Sequence, residues 1–516
     1  MKWNKSCSLK PLFHTVLVLR KLYEKLIILN VILCYLFLFL IFIHYHKEVF
    51  HLSESKGQFN SNFGFIMASV GSAVGLGNLW GFPYKLGTSG GGAFLVLYII
   101  VVIFVGFAVT LGEFTIGRKT GKGAIEAYKS IGNSYAIVGV FAIVAAVSLL
   151  SFYCTLGAYC MKYFSSTFVA IFNHSGIFKA DATEYFNTFI GNGGTVLIFT
   201  AVFAVLNLII IMGGVSGGIE KFTTIAMPAL FVMLIIVIIK SITLEGSSAG
   251  LEFMFKPKME VFQGSGWISI LATAGGQVFF SLSLGMAAMI TYGSYLSKKE
   301  SLVKNSIIVP VADSIVAIMA GLAVMPAVFA MGLEPAGGPG LLFITLQTVF
   351  NDMGSIGPIF GFLLYFLVFI AAITSSISVL EGVSAAWIDA KVSKGQDYSR
   401  KKITSIVTFV VFLLNIPTSL DALGGGSLPQ PLGFCWLDFY DLLAEGILMP
   451  LGSLLMTLII GYKLKMDWMA EEIELEGNKM GARGYWNFCY KVTAPIGMAF
   501  ILVGQIDSFF GLGIFG

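Results

Sequence analysis

The sequence predicts an all-α membrane protein of about 11 transmembrane helices, of which the first and the sixth are interrupted. The 516 residues are 57% hydrophobic and only 12% charged, whereas soluble domains are nearer to about 25% charged. Apolar runs recur along almost the whole chain, and two of them contain clustered glycines. One membrane-embedded body is therefore a better interpretation than a series of soluble domains.

Eleven apolar segments reach, or come close to, the length of about 17–25 residues that a spanning helix needs. The ninth is the shortest, and its ends are the least sharply marked. The segments lie near residues 64–86, 93–117, 135–166, 195–212, 222–240, 267–294, 305–331, 356–390, 403–417, 436–462 and 486–510.

Lysine and arginine are distributed unevenly over the connections between these segments. They concentrate in the connections that follow the even-numbered segments and are sparse in the others. Basic residues are retained on the cytoplasmic side of a membrane, so we expect the core to begin in the cytoplasm and its C-terminus to lie outside. The net charge of +4 is spread over loops and indicates no nucleic-acid partner.

Residues 1–55 are predicted to be an N-terminal extension of a core at residues 56–516. The extension contains an apolar run at residues 26–43. As a spanning helix it would place its basic N-terminal flank outside, which the distribution of positive charge opposes. A genuine additional helix, a signal-like segment and an artefact of the assigned start codon all remain open.

The first segment contains GSAVGLGNLWGFP at residues 71–83, where repeated glycines and a proline weaken a helix. Gly71 and Gly75 alone are compatible with close helix packing. A nucleotide-binding loop is disfavoured because no strand precedes the motif. A break at Gly75–Asn78 would free carbonyls for a cation and amides for a carboxylate. Non-helical backbone at this depth is tolerated only where it lines a cavity.

The sixth segment repeats this pattern with GGQVFFSLSLGM at residues 275–286. The first and sixth segments each begin a group of five. Repeat one would span about residues 64–240 and repeat two about residues 267–462, with one additional helix at about residues 486–510. Interruptions at matching positions of two halves indicate a transporter with inverted repeats.

These motifs resemble the neurotransmitter:sodium symporter family, in its bacterial amino-acid branch with the leucine-transporter fold. GSAVGLGN, GEFTIGR and FFSLSLG carry the resemblance, together with Thr374-Ser375-Ser376, and it extends from about Lys56 to the C-terminus. It implies a multi-pass cell-membrane symporter rather than an enzyme, coupled to Na+ and without an organic cofactor. The alternative is an amino-acid receptor of the same fold without net transport, which departures at Gly81 and Gln347 keep open.

The resemblance implies two sodium sites. Asp313 stands in an apolar segment, where a carboxylate costs at least ~2.5 kcal/mol and needs a partner. A buried structural acid is the alternative, and hydroxyls at residues 374–376 could instead bond back to their own helix. We expect Asp313 to replace the chloride of other relatives, so that chloride is not required. The first site would comprise Ala73, Asn78, Ser281 and Asp313, and the second Gly71, Val74, Ala371, Thr374 and Ser375.

The resemblance also implies a substrate site at the two breaks. Gly75 stands where monoamine carriers place an aspartate, which favours an amino acid over an amine. The side-chain subsite is uncharged, and flexible Met286 could admit a large ring, so we expect a neutral hydrophobic or aromatic amino acid. The carboxylate would meet Leu76, Gly77 and Tyr153; the amine would meet Ala73, Phe280, Ser281 and Ser283; and the side chain would meet Leu149, Phe280, Met286, Ser375 and Val379.

The gates depart from the family pattern. Relatives usually carry arginine where this chain has Gly81, and Lys85 lies about one helical turn further on. We expect Lys85 to form the outer ion pair with Asp441; the alternative is that it only extends towards the outer surface. The inner gate would pair Lys56 with Asp389, next to Tyr295 and Glu381. The sequence makes no prediction of oligomeric state.

Overall fold

The structure is a computed structural model that describes residues 57–173, 176–263, 266–333 and 340–515. Within these ranges nine helices are long and apolar enough to cross a bilayer. A further pair of helices, bent at a short break, meets the same criteria when its two halves are taken together. We number the helices α1 (halves Asn62–Ala73 and Gly77–Thr88), α2 (Gly92–Thr120), α3 (Asn133–Phe172), α4 (Gly193–Met212), α5 (Val215–Ile242), α6 (halves Gly266–Ser281 and Ala288–Ser294), α7 (Leu302–Ala330), α8 (Gly354–Val392), α9 (Arg400–Gly424), α10 (Trp436–Ile473) and α11 (Arg483–Phe510).

These eleven helices match the eleven predicted apolar segments, and the described residues contain no β-strand. The predicted all-α class is therefore confirmed. The ninth helix is longer than the apolar segment predicted for it, because α9 begins at Arg400. Ser399 is its N-cap, and the Ser399 hydroxyl accepts a hydrogen bond from the Lys402 amide. The predicted extension at residues 1–55 and the gate residue Lys56 lie outside the described residues.

Helix α10 continues beyond the predicted segment, but its path changes near the end. Lys465 has a φ of 64°, a conformation that L-residues rarely adopt. The last part, Lys465–Ile473, is a short amphipathic helix that carries Glu472. Arg118 at the end of α2 donates to the Glu472 side chain over 2.8 Å and to its carbonyl over 2.7 Å. This ion pair ties the end of α10 to α2.

Four shorter helices lie on the connections between the spanning helices. Their lengths of about two turns suit caps over the ends of the bundle rather than membrane spans. They are Ala124–Ile131, Ala182–Gly191, Ser247–Phe255 and Leu346–Asp352.

Burial divides the helices into an inner and an outer set. In its most apolar stretch α3 is 78% buried, whereas α4 and α5 are each 33% buried. Helix α3 packs along α8, the first half of α1 packs against α5 and α8, and both halves of α6 pack against α2. Helices α3 and α8 therefore form an inner framework beside the interrupted helices, while α4 and α5 direct most of their surface outwards, as lipid-facing helices do.

Candidate functional site

The break in α1 lies where the sequence predicts it. The first half ends at Ala73, Val74 is extended with φ −73° and ψ 98°, and the two halves are bent by 49°. The Gly75 amide, which loses its helical acceptor here, donates to the Asn78 side-chain oxygen over 3.1 Å. A Cβ at Gly75 would lie 2.4 Å from Ser375 Oγ and 2.6 Å from the Tyr153 hydroxyl. A side chain at residue 75 would therefore displace these two hydroxyl groups.

Tyr153 on α3 touches the break directly. The Leu76 amide donates a hydrogen bond of 3.1 Å to the Tyr153 hydroxyl, and both residues are buried. Two of the three groups predicted to bind a substrate carboxylate are therefore in contact with each other. Gly77 lies beneath the Phe280 ring, since a Cβ at Gly77 would be 2.8 Å from Phe280 Cδ1.

Helix α6 is unwound over residues 282–287, between its two halves. Ser283, Gly285 and Ala287 have φ values of 53°, 76° and 69°. This left-handed conformation is strained for the two residues that are not glycine. The Ser283 hydroxyl donates to the Ser72 carbonyl over 2.8 Å, so it links the unwound part of α6 to the last turn of α1 before its break.

Asp313 on α7 lies between the two interrupted helices. One carboxylate oxygen accepts a hydrogen bond of 2.7 Å from Asn78 Nδ2, and the other accepts one of 2.8 Å from the Ser281 hydroxyl. The Tyr98 hydroxyl donates to the same second oxygen over 3.4 Å. Asp313 is completely buried, and all these partners are uncharged. A carboxylate beside two hydroxyls and a side-chain amide is a set that suits a hard cation.

The residues predicted for the second sodium site also lie together, where α8 crosses the first half of α1. The Ser375 hydroxyl donates to the carbonyls of Gly71 and Val74, both over 3.2 Å. Thr374 instead bonds back to its own helix, to the Ala371 carbonyl over 3.0 Å. Close packing accompanies these contacts, because a Cβ at Gly71 would lie 3.2 Å from Thr374 Cβ. The Thr374 and Ser376 hydroxyls thus bond back to their own helix, and the Ser375 hydroxyl does not.

The predicted side-chain subsite is apolar and buried. Leu149 on α3, Val379 on α8 and Met286 in the α6 break are all almost completely buried. No charged residue belongs to this predicted set.

The predicted inner gate forms a network that includes a residue the sequence reasoning missed. The Tyr295 hydroxyl donates to one oxygen of Glu381 over 2.7 Å, and the Arg400 guanidinium pairs with the other over 2.5 Å. The second carboxylate, Asp389, accepts a hydrogen bond from the Gly123 amide. Arg400 could have been suspected because it is a basic residue at the start of an apolar segment. A cavity of about 150 Å³ lies beside this network, lined in part by Gly57, Tyr295, Asp389 and Arg400.

The outer ion pair differs from the prediction. Lys85 Nζ lies 3.9 Å from Glu445 Oε1 rather than against Asp441, which is one turn earlier on α10. The α10 backbone forms a π-helical stretch at Leu442–Leu448. The Asp441 and Glu445 side chains also contact each other, so both carboxylates lie on the side of α10 that faces Lys85. Asp441 is close enough to Lys85 for an electrostatic interaction between the two side chains.

With this geometry established, comparison with known proteins identifies the family. The sequence matches the model of the Sodium:neurotransmitter symporter family over residues 56–175 and 186–514. The chain belongs to the sodium:neurotransmitter symporter family. Members are sodium-dependent, multi-pass membrane transporters, and their family and fold are those of secondary transporters rather than enzymes.

Relatives within the symporter family cover nearly the whole chain. An uncharacterized sodium-dependent transporter of Bacillus subtilis, YhdH, is 34% identical over 88% of this chain and 98% of its own length. The mouse sodium-dependent neutral amino acid transporter B(0)AT1 is 23% identical, with 87% of this chain and 82% of its own covered. The crystal structure of MhsT in complex with L-phenylalanine matches with a TM-score of 0.78 and 34% identity, covering 87% of this chain and 100% of that one.

A further buried carboxylate, which the sequence reasoning did not assign, contacts the break in α6. Glu113 on α2 is 2% exposed. Its carboxylate accepts a hydrogen bond of 2.7 Å from the Gly285 amide in the unwound part of α6. A Cβ at Gly285 would lie 2.5 Å from the Met449 carbonyl, which restricts this position to glycine. A carboxylate within an apolar run was a detectable sign of function. Glu113 on α2 thus contacts the unwound part of α6, whereas Asp313 on α7 contacts the last residue before it.

Proposed function

We propose that this chain is a sodium-coupled symporter that takes up a neutral hydrophobic or aromatic amino acid by alternating access and does not require chloride. One observation carries the proposal: Asn78, Ser281 and Asp313 converge where α1 and α6 are both unwound. Unwound backbone supplies groups for a solute, and a buried carboxylate supplies a fixed charge for a cation.

Two sodium ions would bind at this centre. The first would lie near Asp313 and Ser281 and be completed by the carboxylate of the amino acid. The second would lie between α1 and α8, at the Gly71 and Val74 carbonyls that Ser375 now contacts. Oxygen groups of both kinds are the ligands that hard cations prefer.

The substrate class follows from the absence of charge in the subsite and from the glycine at residue 75. The Leu76 and Gly77 amides, with the Tyr153 hydroxyl, supply donors for a carboxylate. Leu149, Met286 and Val379 supply an apolar surface for the side chain. The relative MhsT was crystallised with L-phenylalanine, which supports an amino acid with a large apolar side chain.

Sodium supplies the driving force for a zwitterionic solute. Each ion gains ~2.3 kcal/mol per 100 mV of membrane potential and ~1.4 kcal/mol for a tenfold gradient. Two ions would therefore supply roughly 7 kcal/mol. In the orientation we propose, the core begins in the cytoplasm. The cavity beside Tyr295 and Arg400 would then belong to the cytoplasmic path.

The test is uptake by purified protein in proteoliposomes, with a panel of labelled neutral amino acids and an inward sodium gradient. We expect sodium-dependent accumulation of at least one hydrophobic or aromatic amino acid, unchanged when gluconate replaces chloride. Sodium-dependent binding without accumulation would identify the receptor alternative instead. Loss of uptake in gluconate would exclude chloride independence while leaving sodium coupling intact.

A further inference from the structure

We propose that Asn415 and Thr418 of α9 position the Tyr153 hydroxyl by binding the backbone of α3, a role that rests on the proposed function. Tyr153 would bind the substrate carboxylate, and its hydroxyl already contacts the Leu76 amide at the break in α1. Asn415 and Thr418 are buried on α9 and belong to none of the predicted sites. They are positioning residues, because they touch the helix that carries Tyr153 rather than the substrate.

The two side chains bind three backbone groups of α3. Asn415 Nδ2 donates to the Leu150 carbonyl over 2.8 Å, and Asn415 Oδ1 accepts a hydrogen bond of 3.2 Å from the Thr155 amide. The Thr418 hydroxyl donates to the Ser151 carbonyl over 3.0 Å. In a regular helix the Thr155 amide pairs with the Ser151 carbonyl. Side chains of α9 therefore bind both members of one helical pair of α3.

Tyr153 stands between these two groups in the chain but on the other side of α3. At about 100° per residue, positions 151 and 155 are both about 160° around the helix axis from position 153. Helix α9 thus contacts the face of α3 that is turned away from the substrate site, and its bonds set the height and rotation of the turn that carries Tyr153. The fit is close, because the Tyr153 hydroxyl lies 2.6 Å from where a Cβ at Gly75 would stand.

A chain of buried hydroxyl groups extends this contact from α9 to α4. The Thr155 hydroxyl donates to Asn415 Oδ1 over 3.1 Å and lies 3.0 Å from Ser419 Oγ. Ser419 Oγ in turn lies 3.1 Å from the Thr200 hydroxyl of α4. All four of these side chains are at most 1% exposed. A buried polar network whose members are hydrogen-bonded rigidifies the elements that it joins, so α9 and α4 together hold this turn of α3 in place.

The test measures equilibrium binding of tritiated L-phenylalanine, or of tritiated L-leucine should phenylalanine not bind, to purified protein in saturating sodium. The variants are Thr418→Val, which keeps the shape of the side chain but removes the hydroxyl, and Asn415→Leu. We expect each to weaken binding about three- to tenfold, a size typical of residues in one hydrogen-bonded network. Thr418→Ser keeps the donor and should restore binding to within about twofold of the unmodified protein.

A double-mutant cycle separates positioning of the hydroxyl from a general loss of structure. In the Tyr153→Phe background the hydroxyl is absent, so Thr418→Val should weaken binding by less than about a further twofold. Asn415→Leu passes through the same two backgrounds, so that poor folding of one variant leaves the other to decide. Thr408→Val is the matched control, because it removes a buried α9 hydroxyl that donates to the Thr404 carbonyl of α9 itself over 2.8 Å, and it should bind normally.

Two results would overturn the positioning role of α9. One is binding by Thr418→Val and Asn415→Leu that equals binding by the unmodified protein. The other is a loss of affinity that is the same with and without the Tyr153 hydroxyl, which would make both residues purely structural. Failure of the unmodified protein to bind any neutral amino acid in sodium would instead overturn the proposed function.

Discussion

The Ser281 hydroxyl donates a hydrogen bond of 2.8 Å to the Asp313 carboxylate. Ser281 is the last residue of the first half of α6, so this bond holds the edge of one break against α7. The other oxygen of Asp313 accepts from Asn78 in the second half of α1. One buried carboxylate thereby fixes both interrupted helices relative to α7, and this arrangement underlies the first prediction.

Asp313→Asn should weaken the response to sodium. The variant keeps the size of the side chain but removes the fixed negative charge, so we expect the half-saturating sodium concentration to rise at least tenfold, equivalent to ~1.4 kcal/mol. Uptake measured over a series of sodium concentrations checks this, with exposed Asp352→Asn as the control carboxylate. Added chloride should partly restore the variant. An unaltered sodium response would assign Asp313 a purely structural role.

Gly75→Ala should weaken substrate binding while the protein still folds. The added methyl group would meet Ser375 Oγ at 2.4 Å and the Tyr153 hydroxyl at 2.6 Å, both on helices of the inner framework. We expect affinity for the labelled amino acid to fall more than about tenfold, or about 1.4 kcal/mol. Gly191→Ala, where a Cβ would meet nothing within 4 Å, should bind normally. Equal binding by both variants would contradict the close approach at Gly75.

Ser375→Ala should impair sodium activation more than Ser376→Ala. Ser375 donates across to α1 at the Gly71 and Val74 carbonyls, whereas Ser376 donates to Asn207 on α4 over 2.5 Å. Loss of one hydroxyl from an ion site should raise the half-saturating sodium concentration several-fold. The loss from Ser376 should appear mainly as lower thermal stability, by about 1–3 kcal/mol. Sodium titration and thermal unfolding separate the two effects, and the reverse order would remove Ser375 from the proposed site.

Tyr153→Phe should reduce affinity for the amino acid with little change in sodium affinity. The phenol hydroxyl contacts the Leu76 amide over 3.1 Å, so its removal takes away a group predicted to bind the substrate carboxylate. A hydrogen bond to a charged group contributes about 1.5–3 kcal/mol, which corresponds to a tenfold or larger loss. Tyr185→Phe removes a comparable hydroxyl, bonded to Ser166, away from the site and should bind normally. Equal affinities for Tyr153→Phe and the unmodified protein would exclude this role.

Much of the site could be predicted from sequence because the signs of it are local. Glycines at residues 75 and 77 weaken a helix wherever it is, and Asp313 stands out in an apolar run. The position of the α6 break was less sharply marked. FFSLSLG shows that a break is present, but the unwound residues are 282–287, and two of the three left-handed positions are Ser283 and Ala287 rather than glycine.

Contacts between distant segments could not be predicted in the same way. The partner of Lys85 depends on how α10 packs against α1, because Asp441 and Glu445 both lie near it and only Glu445 comes within 3.9 Å. Arg400 reaches Glu381 across the connection between α8 and α9, which depends on how that connection folds. Helix boundaries and buried charges are therefore accessible from sequence, whereas the choice between neighbouring charged partners requires the packed structure.

The contacts of Gly75 also restrict how this transporter could evolve. Monoamine carriers of the family hold an aspartate at the matching position, and a single codon change can convert glycine to aspartate. Here the first side-chain carbon alone would collide with Ser375 and Tyr153. Under the proposed function, a lineage moving from amino acids to amines would also have to shift the Tyr153 side chain on α3 and the Ser375 side chain on α8. Packing at residue 75 would therefore oppose such a change of substrate class.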